Sequence, residues 1–254
     1  SSPVWKGGKG GDTPIRKRVE ASTGGGRGGI HMPGQRGIRP EPWAGAGAYD
    51  ITKIRGADGL FECEGVIRRW EEAFARRYGA KESLISCGGS TLCIQAMLAL
   101  AAGPGEKVLF FRNIHKAALD AMILLDIRPV WLFPQDSGGE IGCITPQEVA
   151  QSLSRDREIQ AVYITSPDYY GQIHDIGGIA RACHEAGVPL LVDNAHGAHL
   201  KFLEEDLHPM TLGADLCCDS LHKTLPALTG SALLHMGPGS PFTWAAAKEA
   251  MGLF

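Results

Sequence analysis

The 254-residue chain reads as an α/β domain of three layers, a mostly parallel sheet covered by helices on both faces. Three observations predict this. From Val66 onward, apolar runs of strand length alternate with amphipathic stretches of helical spacing. The runs are apolar at consecutive residues rather than at every second one, as strands buried on both faces require. Hydrophobic residues make up 44% of the chain, enough to build a full core and to argue against global disorder.

Residues 1–49 are rich in Gly, Pro and Arg around "STGGGRGGIHMPGQRG" and read as an extended arm, with the packed domain expected over 50–254. "GVIRRWEEAFARRYGA" has apolar residues at helical spacing and stops at Gly79. "SLIS" is a short strand, and a helix opens directly after it in "GGSTLCIQAMLALAAG". "KVLFF", "PVWLF", "AVYITS" and "PLLVDNAH" are the following strands. "HKAALDAMILLD", "TPQEVAQSLSR" and "IGGIARACHEAG" are the helices between them. "ADLCCDS" and "SALLHM" are two further strands joined by the loop that carries Lys223.

Charge and cysteine content narrow the function. A net charge of −3 offers no basic field for nucleic acid and no cationic face for anionic lipid. No apolar run approaches the roughly 20 residues that span a bilayer. The N-terminal "SSPVWKGGKGGDTP" lacks the layout of a signal peptide. Seven cysteines without framework spacing read as small buried hydrophobes in a reducing cytoplasm, not as disulfides or a zinc site.

In parallel sheets the ligand sits beyond the carboxyl ends of the strands, so the residues there matter most. "CGGST" puts Gly89, Ser90 and Thr91 at a helix N-terminus, where free N–H groups suit a phosphate or where the hydroxyls simply cap. In "RNIHKAA", His115 opens a helix, where a neutral, flat imidazole could stack on a planar ligand. "PDYYG" reads foremost as a tight turn with Gly171 at positive φ. In "DNAHGAH", Asp193 ends a buried strand and therefore needs a cation or a protonated heterocycle nearby, with His196 in reach. A metal triad of Asp193, His196 and His199 is the lesser reading, since no second carboxylate pair is evident, and no metal is expected. Ser220, His222 and Lys223 follow "ADLCCD", and the apolar "TLPALTG" after them is expected to dry the amine. A phosphate, a planar ring, a basic ring nitrogen and an aldehyde would use all of these groups together, and pyridoxal 5'-phosphate carries all four. Lys223 would then condense with the aldehyde, which needs its amine pKa lowered from about 10.4 by desolvation and neighbouring charge.

With these residues placed, the chain resembles the fold-type I pyridoxal-phosphate enzymes, specifically the major domain of the Orn/Lys/Arg decarboxylases. The resemblance rests on "HMPGQRG", "DITKIRGADGL", "GGST", "RNIHKAA", "SPDYYG", "VDNAHGAHL" and "DSLHKTLPALTG", in the family's order. It implies Lys223 as the lysine that joins the cofactor, Asp193 on the pyridine nitrogen and His115 stacked on the ring. Ser90, Thr91, Ser220 and His222 would hold the phosphate, and Ala195 would pack under the ring. His196 would lie near the phenolic oxygen or the substrate carboxylate, and Lys223 or His222 would return a proton to Cα. The implied activity is decarboxylation of lysine, arginine or ornithine in a cytoplasmic homodimer, with the Gly-rich arm reaching the partner subunit. Gln35, Ala117 and Asn194 depart from the family's common residues, and the family's small C-terminal domain is expected to be absent. Three other readings stay open. They are another fold-type I reaction such as transamination or aldol cleavage, a cofactor-binding module without catalysis, and, last for want of a GxGxxG, a plain nucleotide-binding domain.

Overall fold

The computed structural model describes residues 58–133 and 142–254, so the expected arm over 1–49 lies outside the described residues. The chain divides into two compact units, Ser1–Ala73 and Phe74–Phe254. In the first, the Asp58 carboxylate accepts the backbone N–H groups of Gly59, Glu64, Gly65 and Ile67. Those donations satisfy N–H groups where helix α1 (Val66–Tyr78) begins. Burial works against the Asp58 charge, yet the four N–H groups together hold its carboxyl below the usual range. The helix ends at Gly79, whose φ of +70° is the left-handed stop that the sequence predicts.

The second unit carries the sheet. In chain order its strands are β1 (Glu82–Ser86), β2 (Lys107–Phe111), β3 (Arg128–Leu132), β4 (Ile159–Thr165), β5 (Leu190–Asp193), β6 (Leu216–Ser220) and β7 (Ala232–Met236). The helices are α2 (Gly89–Ala101), α3 (Lys116–Leu125), α4 (Pro146–Arg155), α5 (Ile176–Glu185), α6 (Pro209–Leu212), α7 (Leu221–Thr224) and α8 (Trp244–Met251), with a 3-10 turn over Ala198–Phe202. The strands lie in the order β1-β7-β6-β5-β4-β2-β3. The pairs β2–β3, β2–β4, β4–β5 and β5–β6 are parallel, and β7 runs antiparallel to both of its neighbours. The reversal follows from length, because the segment between β6 and β7 is too short for the crossover that a parallel partner needs.

Both sheet faces are buried, which explains the unbroken apolar runs. Val108 and Phe110 of β2 join one core with Leu84, Met97, Leu191 and Leu234, while Leu109 and Phe111 join the other with Leu153, Ile164 and Val192. The first core lies under α2, α3 and α8, and the second under α4 and α5. Two expectations are sharpened. β5 stops at Asp193, so "NAH" is a turn beyond the strand rather than its end. α6 and α7 span only four residues each and offered no periodicity to read. All seven cysteines are free. Among the described residues, no helix is long and apolar enough to cross a membrane.

Between β6 and the turn after β5 lies a second polar core. Asp219 is fully buried and accepts from Asn194 Nδ2 at 2.6 Å, His208 Nε2 at 3.0 Å and His235 Nε2 at 3.3 Å. His208 Nδ1 accepts the Met210 N–H, and His235 Nδ1 faces the Ser83 hydroxyl at 2.7 Å, so each ring can give its Nε2 proton to Asp219. Tyr78 packs on both rings, at 4.9 Å and 4.5 Å between centroids. Burial alone would raise the Asp219 carboxyl, but His208 and His235 outweigh it and hold the group below the usual carboxylate range. Removing this acceptor strands three buried donors. Asp219→Ala should therefore cost about 3–5 kcal/mol of unfolding free energy in a urea titration, and a loss under about 1 kcal/mol would show that the network is not structural.

The histidines set a pH dependence. Burial holds His235 below the usual imidazole range against the pull of Asp219, and burial does the same to His174. Each therefore binds its proton more readily in the unfolded chain, whose histidines titrate near 6.5. Stability from this source is complete above about pH 6.5 and declines as pH falls below it. The urea midpoint should hold between pH 7 and 8 and drop by pH 5.5, and a flat profile refutes the assignment.

Candidate active site

The ends of β2, β4, β5 and β6 and the helices α2, α3 and α7 meet at the carboxyl edge of the sheet. There a cleft of about 270 Å³ is lined by Ser90, Asn113, Ile114, His115, Lys116, Thr165, Tyr169, Asp193, Ala195, His196 and Lys223. Its volume lies at the small end of ligand clefts, which run from about 300 to 1,000 Å³, and suits one small ring-bearing molecule.

Asp193 forms the floor. It is buried, and its carboxylate takes the Ala195 N–H at 3.1 Å, the Tyr163 hydroxyl at 3.3 Å and the Cys218 thiol at 3.5 Å. Among the described residues no cationic side chain pairs with it. A buried carboxylate held only by neutral, rather long contacts still has capacity for a cationic partner. Ala195 lies two residues on, in a turn whose tightness depends on Gly197, where a Cβ would collide with Asn194 Oδ1 and Pro167. The same turn carries His196.

His196 Nε2 lies 3.3 Å from Lys223 Nζ. Burial first, and then the Lys223 cation, hold the imidazole below its usual range, with Asp193 opposing them. A neutral His196 beside an ammonium is a proton acceptor for that amine. Lys223 sits in the single-turn helix α7, directly after the β6 end. Its side chain is exposed, and Leu228 in the following segment is 87% exposed. This corrects the expectation that "TLPALTG" dries the lysine. After α7 the segment runs outward instead of folding over the amine.

Six of the ten residues expected to hold a cofactor line this cleft: Ser90, His115, Asp193, Ala195, His196 and Lys223. His115 caps α3, accepting the Ala117 N–H on Nδ1 at 3.1 Å, which leaves the proton of a neutral ring on Nε2. Gly89, Thr91, Ser220 and His222 are not on its wall. Ser220 is buried, and its hydroxyl reaches Ser90 Oγ at 2.9 Å, so it supports Ser90 from behind. His222 Nδ1 meets the Ser231 carbonyl at 3.2 Å. Gly89 gives its N–H to Gly230 O, and no side chain caps α2, so Ser90 and Thr91 begin a helix with uncapped N–H groups.

Sequence reasoning missed Asn113, Ile114, Lys116, Thr165 and Tyr169. Asn113 is held by Asp168, a buried carboxylate that also takes the Tyr170 and Gln172 N–H groups inside "PDYYG". That turn does place Gly171 at positive φ, +85°, and it also projects Tyr169 to within 6.2 Å of the His196 ring. Thr165 ends β4 beside Asp193, and its buried hydroxyl has no hydrogen-bond partner. Such a group costs about 1–3 kcal/mol unless a ligand satisfies it. The triad Asp193, His196 and His199 does not cluster. The atoms of His208, Cys217 and Asp219 do lie within 4.8 Å of one another, but His208 Nε2 spends its proton on Asp219 and has no lone pair free for a metal.

Comparison with known proteins identifies the family and the fold. The model of the family described as Orn/Lys/Arg decarboxylase, major domain, matches residues 47–250. The chain belongs to that family. A Bacillus subtilis arginine decarboxylase is 31% identical over 221 residues, which is 83% of this chain and 45% of that protein. The chain thus spans less than half the length of the curated relatives it matches. The lysine decarboxylase LdcF of Francisella novicida shares the fold with a TM-score of 0.82 at 19% identity, over 94% of this chain and 37% of that one. A pyridoxal-5'-phosphate dependent protein of Escherichia coli, YhfS, aligns with a TM-score of 0.56 at 16% identity, over 73% of this chain and 52% of that one.

The Lys223–His196 contact can be read directly by NMR. Removing the Lys223 cation takes away one of the three causes that depress His196, the others being burial and His115. In Lys223→Ala the His196 ring should therefore titrate at higher pH than in the wild type, and a midpoint that falls or stays put would mean the two groups are not in contact in solution.

Proposed function

We propose that this chain is the cofactor-binding major domain of a pyridoxal-phosphate-dependent decarboxylase acting on lysine, arginine or ornithine. The observation that carries the reading is the placement of Asp193 and Lys223 at the ends of adjacent parallel strands, opening on one small cleft. The residues fit the cofactor: Asp193 lacks a cationic partner, Lys223 offers an amine and the start of α2 is free for an anion. Asp193 would hold a proton at the pyridine nitrogen. Lys223 would supply the covalent attachment, Ser90 and the N-terminus of α2 the phosphate contact, and His115 and Ala195 the two flat walls. When bound, pyridoxal phosphate supplies an electron-withdrawing ring that takes up the electron pair of the broken Cα–carboxylate bond.

The chain's own groups account for the proton steps. His196, held neutral and 3.3 Å from Lys223, would exchange a proton with Nζ as Lys223 passes between its free and its cofactor-bound form. Of the two expected donors to Cα, Lys223 lines the cleft and His222, whose Nδ1 meets the Ser231 carbonyl, does not, so Lys223 would return the proton as carbon dioxide leaves. Asp193 is the one carboxylate among the described residues lining the cleft. The group that reads the substrate's distal cation therefore comes from elsewhere. Tyr169, 82% exposed at the mouth, and Leu228 are the surfaces that a second subunit would cover in the homodimer we infer.

Carbon dioxide release from lysine, arginine and ornithine by the full-length protein tests the reaction. The wild type should decarboxylate one of the three, and keto-acid formation without carbon dioxide points to transamination instead. Lys223→Ala should lose all cofactor fixed by borohydride and all turnover, and Asp193→Asn should lose activity by about 10²-fold or more. A wild type that fixes cofactor yet turns over none of the amino acids is a binding module, and one that never fixes cofactor sinks the proposal.

A further inference from the structure

Thr165 is the last residue of β4, lines the cleft and is only 8% exposed, yet its Oγ1, closed to solvent, has no hydrogen-bond partner. A valine would fill the same space in a strand with the same backbone preference and would leave no hydroxyl unpaired. The Tyr163 phenol lies near the hydroxyl without closing a hydrogen bond to it. The hydroxyl's place along the sheet edge says what it could serve.

In the parallel register Thr165 lies directly opposite Asp193, and the two-residue period puts both on one face of the sheet. Tyr163, two residues earlier on β4, reaches the Asp193 carboxylate from that same face. On the other side of β5, Ser220 ends β6 and joins Ser90 at the start of α2. Three groups thus follow one another across neighbouring strands: the hydroxyl pair that leads to the helix N-terminus, the carboxylate, and the unpaired hydroxyl of Thr165.

Pyridoxal phosphate has a matching order of substituents. The carbon bearing the aldehyde is para to the ring nitrogen, and the positions flanking it carry the phosphate arm on one side and the phenolic oxygen on the other. With the nitrogen at Asp193 and the phosphate toward Ser90 and α2, the phenolic oxygen falls on the β4 side. We infer that Thr165 is a cofactor-binding residue whose hydroxyl donates to that phenolic oxygen, an assignment that rests on the pyridoxal-phosphate reading of the cleft. It gives the ring a third polar anchor, set across from the phosphate, and fixes its rotation in its own plane. It also frees His196, the other group expected near the phenolic oxygen, to serve Lys223, which it already touches at 3.3 Å.

The test compares full-length apoprotein of the wild type and of Thr165→Val in binding two probes, pyridoxal 5'-phosphate and its analogue lacking the phenolic oxygen. Thr165→Val should weaken the natural cofactor by roughly tenfold, the loss of one hydrogen bond to a charged acceptor, and leave the analogue's Kd unchanged. Thr165→Ser, which keeps the hydroxyl, should bind both probes as the wild type does. The apoprotein of Thr165→Val should melt no lower than the wild type, since it loses an unpaired buried hydroxyl. If that variant fails to fold, Thr165→Ala is read in the same way. Equal weakening for both probes would reveal general damage to the cleft, and no weakening for either would place the phenolic oxygen elsewhere. Both results overturn the assignment. A wild type that binds neither probe overturns the cofactor reading instead, so the two failures are told apart.

Discussion

A buried carboxylate is the constraint on which this sheet edge turns. Taking an ionised carboxyl out of water costs several kcal/mol unless partners restore what hydration supplied. The chain does this twice on adjacent strands, at Asp193 on β5 and Asp219 on β6, and the two solutions differ. Asp219 is saturated by three strong donors, two of them imidazoles clamped by Tyr78. Asp193 is held by a backbone N–H, a phenol and a thiol at 3.1–3.5 Å, with no ion pair among the described residues. One carboxylate is complete within the protein, and the other would be completed by the cofactor proposed for the cleft.

The two are mechanically linked. Asn194 follows Asp193, points to the opposite face and gives its Nδ2 proton to Asp219, while its backbone N–H bonds to Cys218 on β6. Its carbonyl takes the Gly197 N–H and closes the turn that carries Ala195 and His196. The saturated network behind the sheet is thus what holds the cleft-facing turn in place. Rigidity at a site comes from packing and hydrogen bonds outside it, and a displacement of about 1 Å is enough to spoil reacting geometry. Asp219 touches nothing in the cleft, yet the position of His196 relative to Lys223 depends on it.

Much of this was legible in the sequence, for definite reasons. Consecutive apolar runs reported strands buried on both faces, and the rule that ligands gather at strand ends led to Asp193, His196 and Lys223. What escaped was whatever depends on register or on direction. Thr165 is a β-branched residue at the end of an apolar run, and only its pairing with Asp193 shows that its hydroxyl is stranded in the cleft. Asn113 draws its meaning from Asp168, 55 residues away. The segment after Lys223 was misjudged for the opposite reason. Its composition is apolar, but composition does not say which way a chain leaves a single-turn helix, and here it leaves toward solvent.

That outward turn divides the work of the site. A lysine that is to react as a free amine is helped by desolvation or by a base, and in the proposed site the exposed Lys223 would rely on the second rather than the first. His196 would be that base, kept neutral by burial and by the cation beside it. An ammonium at 3.3 Å disfavours a second positive charge on the ring, so the ring stays neutral while the amine keeps its proton. In the proposed site, water exclusion would then come from the ligand itself and from a subunit covering Tyr169 at the cleft and the exposed Leu228. The chain orients the groups and sets their protonation, and the dryness of the pocket is a property of the assembled, occupied site.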